Sequence, residues 1–205
     1  MPAVVVVGGQ WGDEGKGRVV DLLAQRAQVV ARYSAGSNAG HTVVNELGEF
    51  RLHLVPAGIF YPDKVCLIGH GVAVDPKVLL EEIQSLEARG VKVRGRLFVS
   101  NRAHVTMPWH PLLDRLEEKA RGKAAIGTTG RGVGPTFVDK VGRLGIRMVD
   151  LVDPRALRER LSLVLPIKNA VLSKLYEAEP LDLEQVWTEY AELGAQLRPF
   201  VADTS

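Results

Sequence analysis

Residues 4–18 read V-V-V-V-G-G-Q-W-G-D-E-G-K-G-R, and the rest of the chain is organised around them. Four consecutive valines, Val4 to Val7, predict a strand buried on both faces. Gly8, Gly9, Gly12, Gly15 and Gly17 follow in a small-residue turn, and R-V-V-D-L-L-A then has helical spacing. Strand, glycine loop and helix in that order form an anion cradle. Glycines let backbone N–H groups approach a phosphate, and the helix N-terminus adds a favourable dipole. Lys16 stands where an ammonium reaches a terminal phosphate as a point charge.

The stretch departs from the common phosphate loop G-x-x-x-x-G-K-[ST] at two points. Gln10 replaces the first glycine, and Gly17 follows Lys16, so no hydroxyl is there to hold Mg²⁺. The loop instead carries Asp13 and Glu14. A carboxylate in an anion cradle is repulsive unless a cation or a proton transfer uses it. Asp13 therefore reads as a Mg²⁺ ligand, a general base, or both. The alternative is a glycine-rich turn bearing a solvated acidic pair.

Working outward, 205 residues suit one domain with a sizeable core, and 46% hydrophobic with 24% charged residues is ordinary for a globular protein. A formal charge of +2 is too small to imply nucleic acid or a membrane surface. The single cysteine, Cys66, sits in the apolar run V-C-L-I, reads as packing, and fits a reducing cytoplasm. No signal peptide and no run long enough to span a membrane are visible, so a cytoplasmic protein is expected.

After the opening loop, residues 18–26 predict a helix and residues 28–33 a second strand, which together give a parallel β-α-β start. Residues 43–45 and 50–54 flank E-L-G-E as a hairpin, and residues 64–68 predict a third core strand. Asp75–Pro76 reads as an N-cap with proline at N1, opening a helix to about Arg89 with Leu79, Leu80, Ile83 and Leu86 inward. Residues 96–100 predict a fourth strand, and residues 108–121 a helix with Leu112, Leu113 and Leu116 inward. Residues 122–145 are glycine-rich and basic with little periodicity. Asp153–Pro154 repeats the N-cap signal, and the remainder to about Val201 reads as helical, divided by Pro166 and Pro180. The expected fold is α/β: an open, mainly parallel sheet with flanking helices, phosphate-loop-like at its start. Residues 1–150 would hold the sheet and residues 151–205 a helical portion. Ligands are expected at the C-terminal ends of the strands.

Four loops would meet there. Beside the first, S-N-A-G-H-T (residues 37–42) offers the Asn38 amide, close backbone approach at Gly40, and His41 as a proton donor or acceptor near neutral pH. I-G-T-T-G-R-G-V-G-P (residues 126–135) places Thr128 and Thr129 among four glycines with Arg131, a composition suited to phosphate. K-V-G-R-L-G-I-R adds Lys140, Arg143 and Arg147. Seven basic residues face one acid between Lys119 and Arg147, which favours an anionic ligand over a merely solvated face. Sparse aromatics there argue against base stacking on single strands. His53, His70, His104 and His110 lack ligand-like spacing, so they read as structural or surface residues and no zinc site is expected.

The strings G-Q-W-G-D-E-G-K-G (residues 9–17), N-A-G-H-T (38–42) and G-T-T-G-R-G-V-G-P (127–135), in that order, resemble those of adenylosuccinate synthetases. The resemblance implies GTP-dependent joining of IMP and L-aspartate to adenylosuccinate by way of 6-phosphoryl-IMP, in AMP biosynthesis, with Mg²⁺ as cofactor. It implies Asp13 as the base on IMP, His41 as its acid partner and Lys16 as the neutraliser of γ-phosphate charge. Mg²⁺ would be held by Asp13 and the carbonyl of Gly40. GTP would meet Gly12, Asp13, Glu14, Gly15, Lys16, Gly17, Arg18, Gly40, His41 and Thr42. IMP would meet Asp13, Glu14, Gly15, Lys16, Asn38, Ala39, Gly40, His41 and Thr129. Arg143 would reach the IMP site of a neighbouring subunit, so a homodimer is implied. Chains of that family are about twice as long, and their guanine- and aspartate-recognition segments have no counterpart here. The expectation is therefore an N-terminal fragment or a split or truncated gene product. Two other readings stay open: a non-catalytic nucleotide-binding module, and a small-molecule kinase.

Overall fold

The computed structural model of the chain describes residues 3–9 and 15–204. In chain order these form α1 (Lys16–Ala24), β1 (Val29–Arg32), β2 (His41–Asn45), β3 (Gly48–Leu52), β4 (Val65–Ile68), β5 (Ala73–Val74), α2 (Pro76–Ala88), β6 (Leu97–Ser100), β7 (His104–Val105), α3 (Trp109–Arg121), α4 (Val133–Val141), α5 (Met148–Leu151), α6 (Pro154–Tyr176), α7 (Leu183–Leu197) and β8 (Val201–Ala202).

The apolar runs V-V-A-R, V-C-L-I and L-F-V-S lie side by side because each is too apolar to leave a face in water. The main sheet has the order β1-β4-β6-β8 and is parallel throughout, with Val30 opposite Cys66, Leu67 opposite Phe98 and Val99 opposite Val201. β2 and β3 pair as an antiparallel hairpin, and β5 pairs with β7 in parallel. Helix starts follow the capping signals. Asp75 accepts hydrogen bonds from the N–H groups of Lys77 and Val78, and Asp153 accepts from Arg155 and Ala156. Leu79, Ile83 and Leu86 of α2 are buried with Leu97 and Val99 of β6 in one continuous core. α7 reaches this body through the Tyr190 hydroxyl, which donates to the carbonyl of Thr106. Cys66 is fully buried, and burial pushes its thiol up to about 12, so it packs and does no chemistry.

Four features differ from expectation. Val4 to Val7 form no strand, and Val4, Val5 and Val7 are 73%, 68% and 66% exposed. β-propensity is realised only beside a neighbouring strand, and the described sheet gives this run none. Pro166 does not divide its segment; α6 runs through it. The carbonyl that it deprives of a partner belongs to Ser162, and both residues are exposed, so water satisfies that group while Leu161, Val164, Leu165 and Leu172 keep the buried stripe continuous. Inside the aperiodic stretch 122–145 lies α4, and after the helical tail β8 returns to the sheet edge.

Candidate functional site

β1 and β4 both end at the same side of the parallel sheet, and each runs into a loop of small residues. Arg32, the last residue of β1, fixes the first of these loops. Its guanidinium donates to the carbonyls of Ser34 (3.4 Å), Gly36 (2.6 Å) and His53, so the loop is tied to the end of β3. Asn38 Oδ1 accepts from the Gly36 N–H (3.2 Å), folding the turn on itself and leaving its amide N–H₂ outward on an exposed residue. His53 Nδ1 lies 2.6 Å from the carbonyl of Ala39. Apart from the single parallel bridge of Ala35 with Val72, these bonds shape residues 34–40.

This loop delivers His41 to α1. A methyl group added to Gly17 would lie 2.3 Å from Nδ1 of His41, so the imidazole packs directly on the backbone of the second residue of α1. Only glycine permits that approach. Gly15, at φ +79°, caps the helix in a left-handed turn, and its carbonyl accepts the Arg18 N–H at 3.0 Å, so Lys16, Gly17 and Arg18 form the helix start. Burial pushes the His41 pKa below the ordinary histidine value; Asp21 opposes the shift and Arg18 adds to it. The ring is therefore neutral at pH 7. Its Nε2 is buried and has no hydrogen-bond partner among the described residues, as is also true of Ser37 Oγ in the same loop. Buried polar atoms without partners await one.

The third loop meets the second at Gly36, where an added methyl would lie 2.7 Å from the Val133 side chain at the start of α4. Lys140, on the last turn of α4, donates to the carbonyl of His70 in the loop after β4 (3.1 Å). Lys16, Gly17, Arg18, Asn38, Ala39, Gly40, His41 and the base of the 126–132 loop therefore gather around the strand ends. Thr42 is the second residue of β2 and Thr129 is exposed at its loop tip. Arg143 lies at the far end of α4 from the 126–132 loop. It follows the C-terminus of α4 at φ +61°, roughly 13 Å of helix from Gly132. Gly12, Asp13 and Glu14 lie outside the described residues, so their expected roles as base, metal ligand and nucleotide contacts carry no geometry here.

Sequence reasoning missed Arg32, Ser37 and Glu82. Glu82 accepts the N–H groups of His53, Leu54 and Val55 and so holds the strand end to which Arg32 is tied. Of the histidines set aside as structural or surface residues, His110 is fully buried and bonded to Asp139 at 2.8 Å, and His70 is exposed. Among the described residues no group of histidine, cysteine or carboxylate side chains could hold a metal ion, and no helix is long and apolar enough to cross a membrane.

Comparison with known proteins agrees with the motif order. A family model described as adenylosuccinate synthetase matches residues 5–205. The chain belongs to the adenylosuccinate synthetase family. A synthetase from Dehalococcoides mccartyi is 52% identical over 205 residues, and one from Gloeobacter violaceus is 53% identical over the same length. The chain spans about half the length of these curated relatives, 48% and 46% respectively. A solved structure of fully ligated adenylosuccinate synthetase from Plasmodium falciparum superposes with a TM-score of 0.82 at 32% identity, covering 95% of this chain and 45% of that one. A cyanophage S-2L succinoaminodeoxyadenylate synthetase, solved with dGMP and dATP, gives a TM-score of 0.55 at 28% identity over 75% of this chain and 46% of that one. The gathered loops are thus those of a synthetase fold, and they lie in the portion of it that this chain covers.

Proposed function

We propose that the chain carries the phosphate-handling part of an adenylosuccinate synthetase, which joins IMP and L-aspartate with GTP hydrolysis in AMP biosynthesis. One observation carries the reading: a neutral, desolvated His41, whose buried Nε2 has no hydrogen-bond partner among the described residues, is seated on the glycine helix start that bears Lys16. Phosphoryl transfer depends mostly on positioning and electrostatics, and a helix start with a lysine and a polarised imidazole provides both.

In this reading Asp13 takes the N1 proton of IMP. The 6-oxygen then attacks the γ-phosphorus of GTP, and GDP leaves with the bond that breaks. His41 Nε2 and Lys16 face the oxygens of the transferring group. The amine of L-aspartate next attacks C6, and phosphate departs with the 6-oxygen. Gly12, Glu14, Gly15, Gly17, Arg18, Gly40 and Thr42 would line GTP, and Asn38, Ala39, Thr129 and a neighbouring subunit's copy of the Arg143 position would line IMP. A carboxylate and a backbone carbonyl, from Asp13 and the exposed Gly40, make an oxygen-donor set that fits Mg²⁺. Bound there, the ion would supply neutralisation of phosphate charge. The exposed Val138 and Val141 on the turn of α4 that precedes Arg143 support a homodimer, and the single buried thiol supports a reducing cytoplasm.

Calorimetric titration of the 205-residue chain with IMP and with GTP tests the binding, and a turnover assay with L-aspartate tests the reaction. Asp13→Asn and His41→Asn are expected to abolish turnover wherever it is present, including in a full-length relative carrying the same changes. Retained turnover in Asp13→Asn would refute the base.

A further inference from the structure

Between Ala125 and Gly132 the loop after α3 forms no helix and joins no strand, yet both of its shoulders are tied to the same helix face. Asp114 and Glu118 stand four residues apart on α3, one turn above the other. Asp114 Oδ2 accepts the Gly132 N–H at 2.9 Å. Glu118 Oε1 accepts the Ile126 N–H at 3.1 Å, and Oε2 accepts those of Gly127 at 2.7 Å and Thr128 at 3.3 Å. Arg121 holds Glu118 from behind, with Nη1 at 2.9 Å from Oε1. The two carboxylates thus bind residues 126–128 and residue 132, and leave the apex between them. No N–H of Thr129, Gly130 or Arg131 makes a hydrogen bond to the described residues.

The apex backbone suits an anion. Gly127, Gly130 and Gly132 have φ of +79°, +65° and +74°, and left-handed residues of this kind occur in the backbone nests whose N–H groups bind anions. Gly132 cannot be replaced: a methyl there would lie 2.5 Å from Pro111 N and 2.6 Å from the His110 carbonyl carbon. The loop is therefore pressed against the start of α3 at one end and held by Glu118 at the other.

We propose that Asp114 and Glu118 are positioning residues which staple the two shoulders of this loop so that the apex N–H groups and the Thr129 hydroxyl are preset for the phosphate monoester of the bound nucleotide. The proposal rests on the reading that the chain binds IMP. Glu118 is suited to a permanent staple because it stays ionised: the Ile126 N–H, then those of Gly127 and Thr128 with Arg121, hold its carboxyl down at about 2 against the opposing effect of desolvation. Without the staple the loop must be ordered by the ligand, and that ordering weakens binding.

The test compares the wild-type chain with Glu118→Gln, Glu118→Ala and Asp114→Asn by calorimetry against IMP and against inosine, which lacks the phosphate. Amide hydrogen exchange is read in parallel at Ile126, Gly127 and Thr128. Glu118→Ala is expected to lose the exchange protection of those three amides and to weaken IMP by about tenfold through loop ordering, with inosine unchanged. Glu118→Gln, which keeps one acceptor oxygen, loses less. IMP affinity equal to or tighter than wild type in Glu118→Ala overturns the proposal and marks Glu118 as a carboxylate that competes for the phosphate position. Unchanged amide protection overturns it as well. If the wild-type chain fails to bind IMP, the IMP reading itself falls, and the exchange data alone decide: lost protection in Glu118→Ala upholds the staple, and retained protection removes it.

Discussion

Asp139→Asn attacks a buried charge shared by three helices, α3, α4 and α6. Asp139 of α4 is 2% exposed and accepts hydrogen bonds from Trp109 Nε1 at 3.1 Å, from His110 Nε2 at 2.8 Å and from Lys168 of α6. His110 Nδ1 is already used, accepting the Met107 N–H at 2.8 Å, so Nε2 is the protonated nitrogen and the ring is neutral. Burial opposes ionisation of Asp139, yet the hydrogen bonds from His110 and Lys168 together hold its carboxyl below the ordinary carboxylate range. Replacing the carboxylate by an amide leaves the Lys168 ammonium, 8% exposed, without a counter-charge. Breaking a buried pair from one side costs about 3–5 kcal/mol. For a chain of this size each kcal/mol lowers Tm by roughly 2–4 °C, so a fall of about 6–20 °C is expected. Lys168→Met should cost less, about 1–3 kcal/mol, because Asp139 keeps its two other donors. The double variant should then be more stable than the sum of the two losses by about 2 kcal/mol, since neither stranded charge remains. Urea unfolding followed by circular dichroism and tryptophan fluorescence reads all four corners of the cycle. A loss below about 1 kcal/mol in Asp139→Asn, or strict additivity in the double variant, would refute the charge-pair reasoning.

His104 predicts an acid-sensitive fold. Burial, with Lys140 and Arg147 nearby and Asp150 opposing, pushes it down to about 4, whereas an unfolded histidine protonates near 6.5. The unfolded chain therefore binds more protons across that window, and stability falls as pH drops from about 6.5 to about 4. Because the ring is only half-buried, the loss is about 1–2 kcal/mol after allowing for solvent screening. Urea midpoints at pH 7 and pH 4.5 should differ less in His104→Gln than in wild type, and an equal difference would clear His104 of the effect. Gly17→Ala gains about 1 kcal/mol of helix propensity but drives a methyl into the His41 ring, an overpacking that costs about 1–3 kcal/mol. A lowered Tm with displaced His41 ring resonances is expected, and unmoved resonances would contradict the contact. Glu82→Ala strands three N–H groups and should cost about 2–4 kcal/mol. Faster amide exchange at Leu54 and Val55 checks it, and unchanged exchange would show that other acceptors hold this strand end.

The strands β1, β4 and β6 and the helix α2 were legible because each is a local apolar pattern, and β4, β6 and α2 are also bounded by glycine, proline or an N-cap aspartate. Helix α4 was not, for a physical reason. It buries Thr136 and Asp139 and exposes Val138 and Val141 at 69% and 83%, so its pattern is inverted and its apolar periodicity points the wrong way. Its start is further masked by Gly132, Gly134 and Pro135. β8 pairs at two residues, too few for any pattern. Val4 to Val7 erred in the opposite direction: the composition of a core strand was there, but strand formation depends on neighbours that the run itself does not encode.

The site shows the same division between what is local and what is assembled. Gly15, Gly17, Gly40 and His41 were visible because close approach and proton exchange dictate residue type at the point of use. The groups that hold the loops in place were not visible. Glu82, Asp114 and Glu118 sit on helices at positions that read as solvated acidic faces, and Arg32 ends a strand as an ordinary surface arginine would. In the fold each answers one requirement: backbone N–H and C=O groups in loops without a ladder still need partners. Glu82 takes three N–H groups of residues 53–55, Glu118 takes three of residues 126–128, and Arg32 satisfies carbonyls on both sides of the 34–36 turn. Charged side chains rooted in regular elements thus give irregular segments a fixed shape while leaving their apices open. That separation explains how loops made of glycine and threonine can be preorganised for a charged ligand although their own sequences favour flexibility.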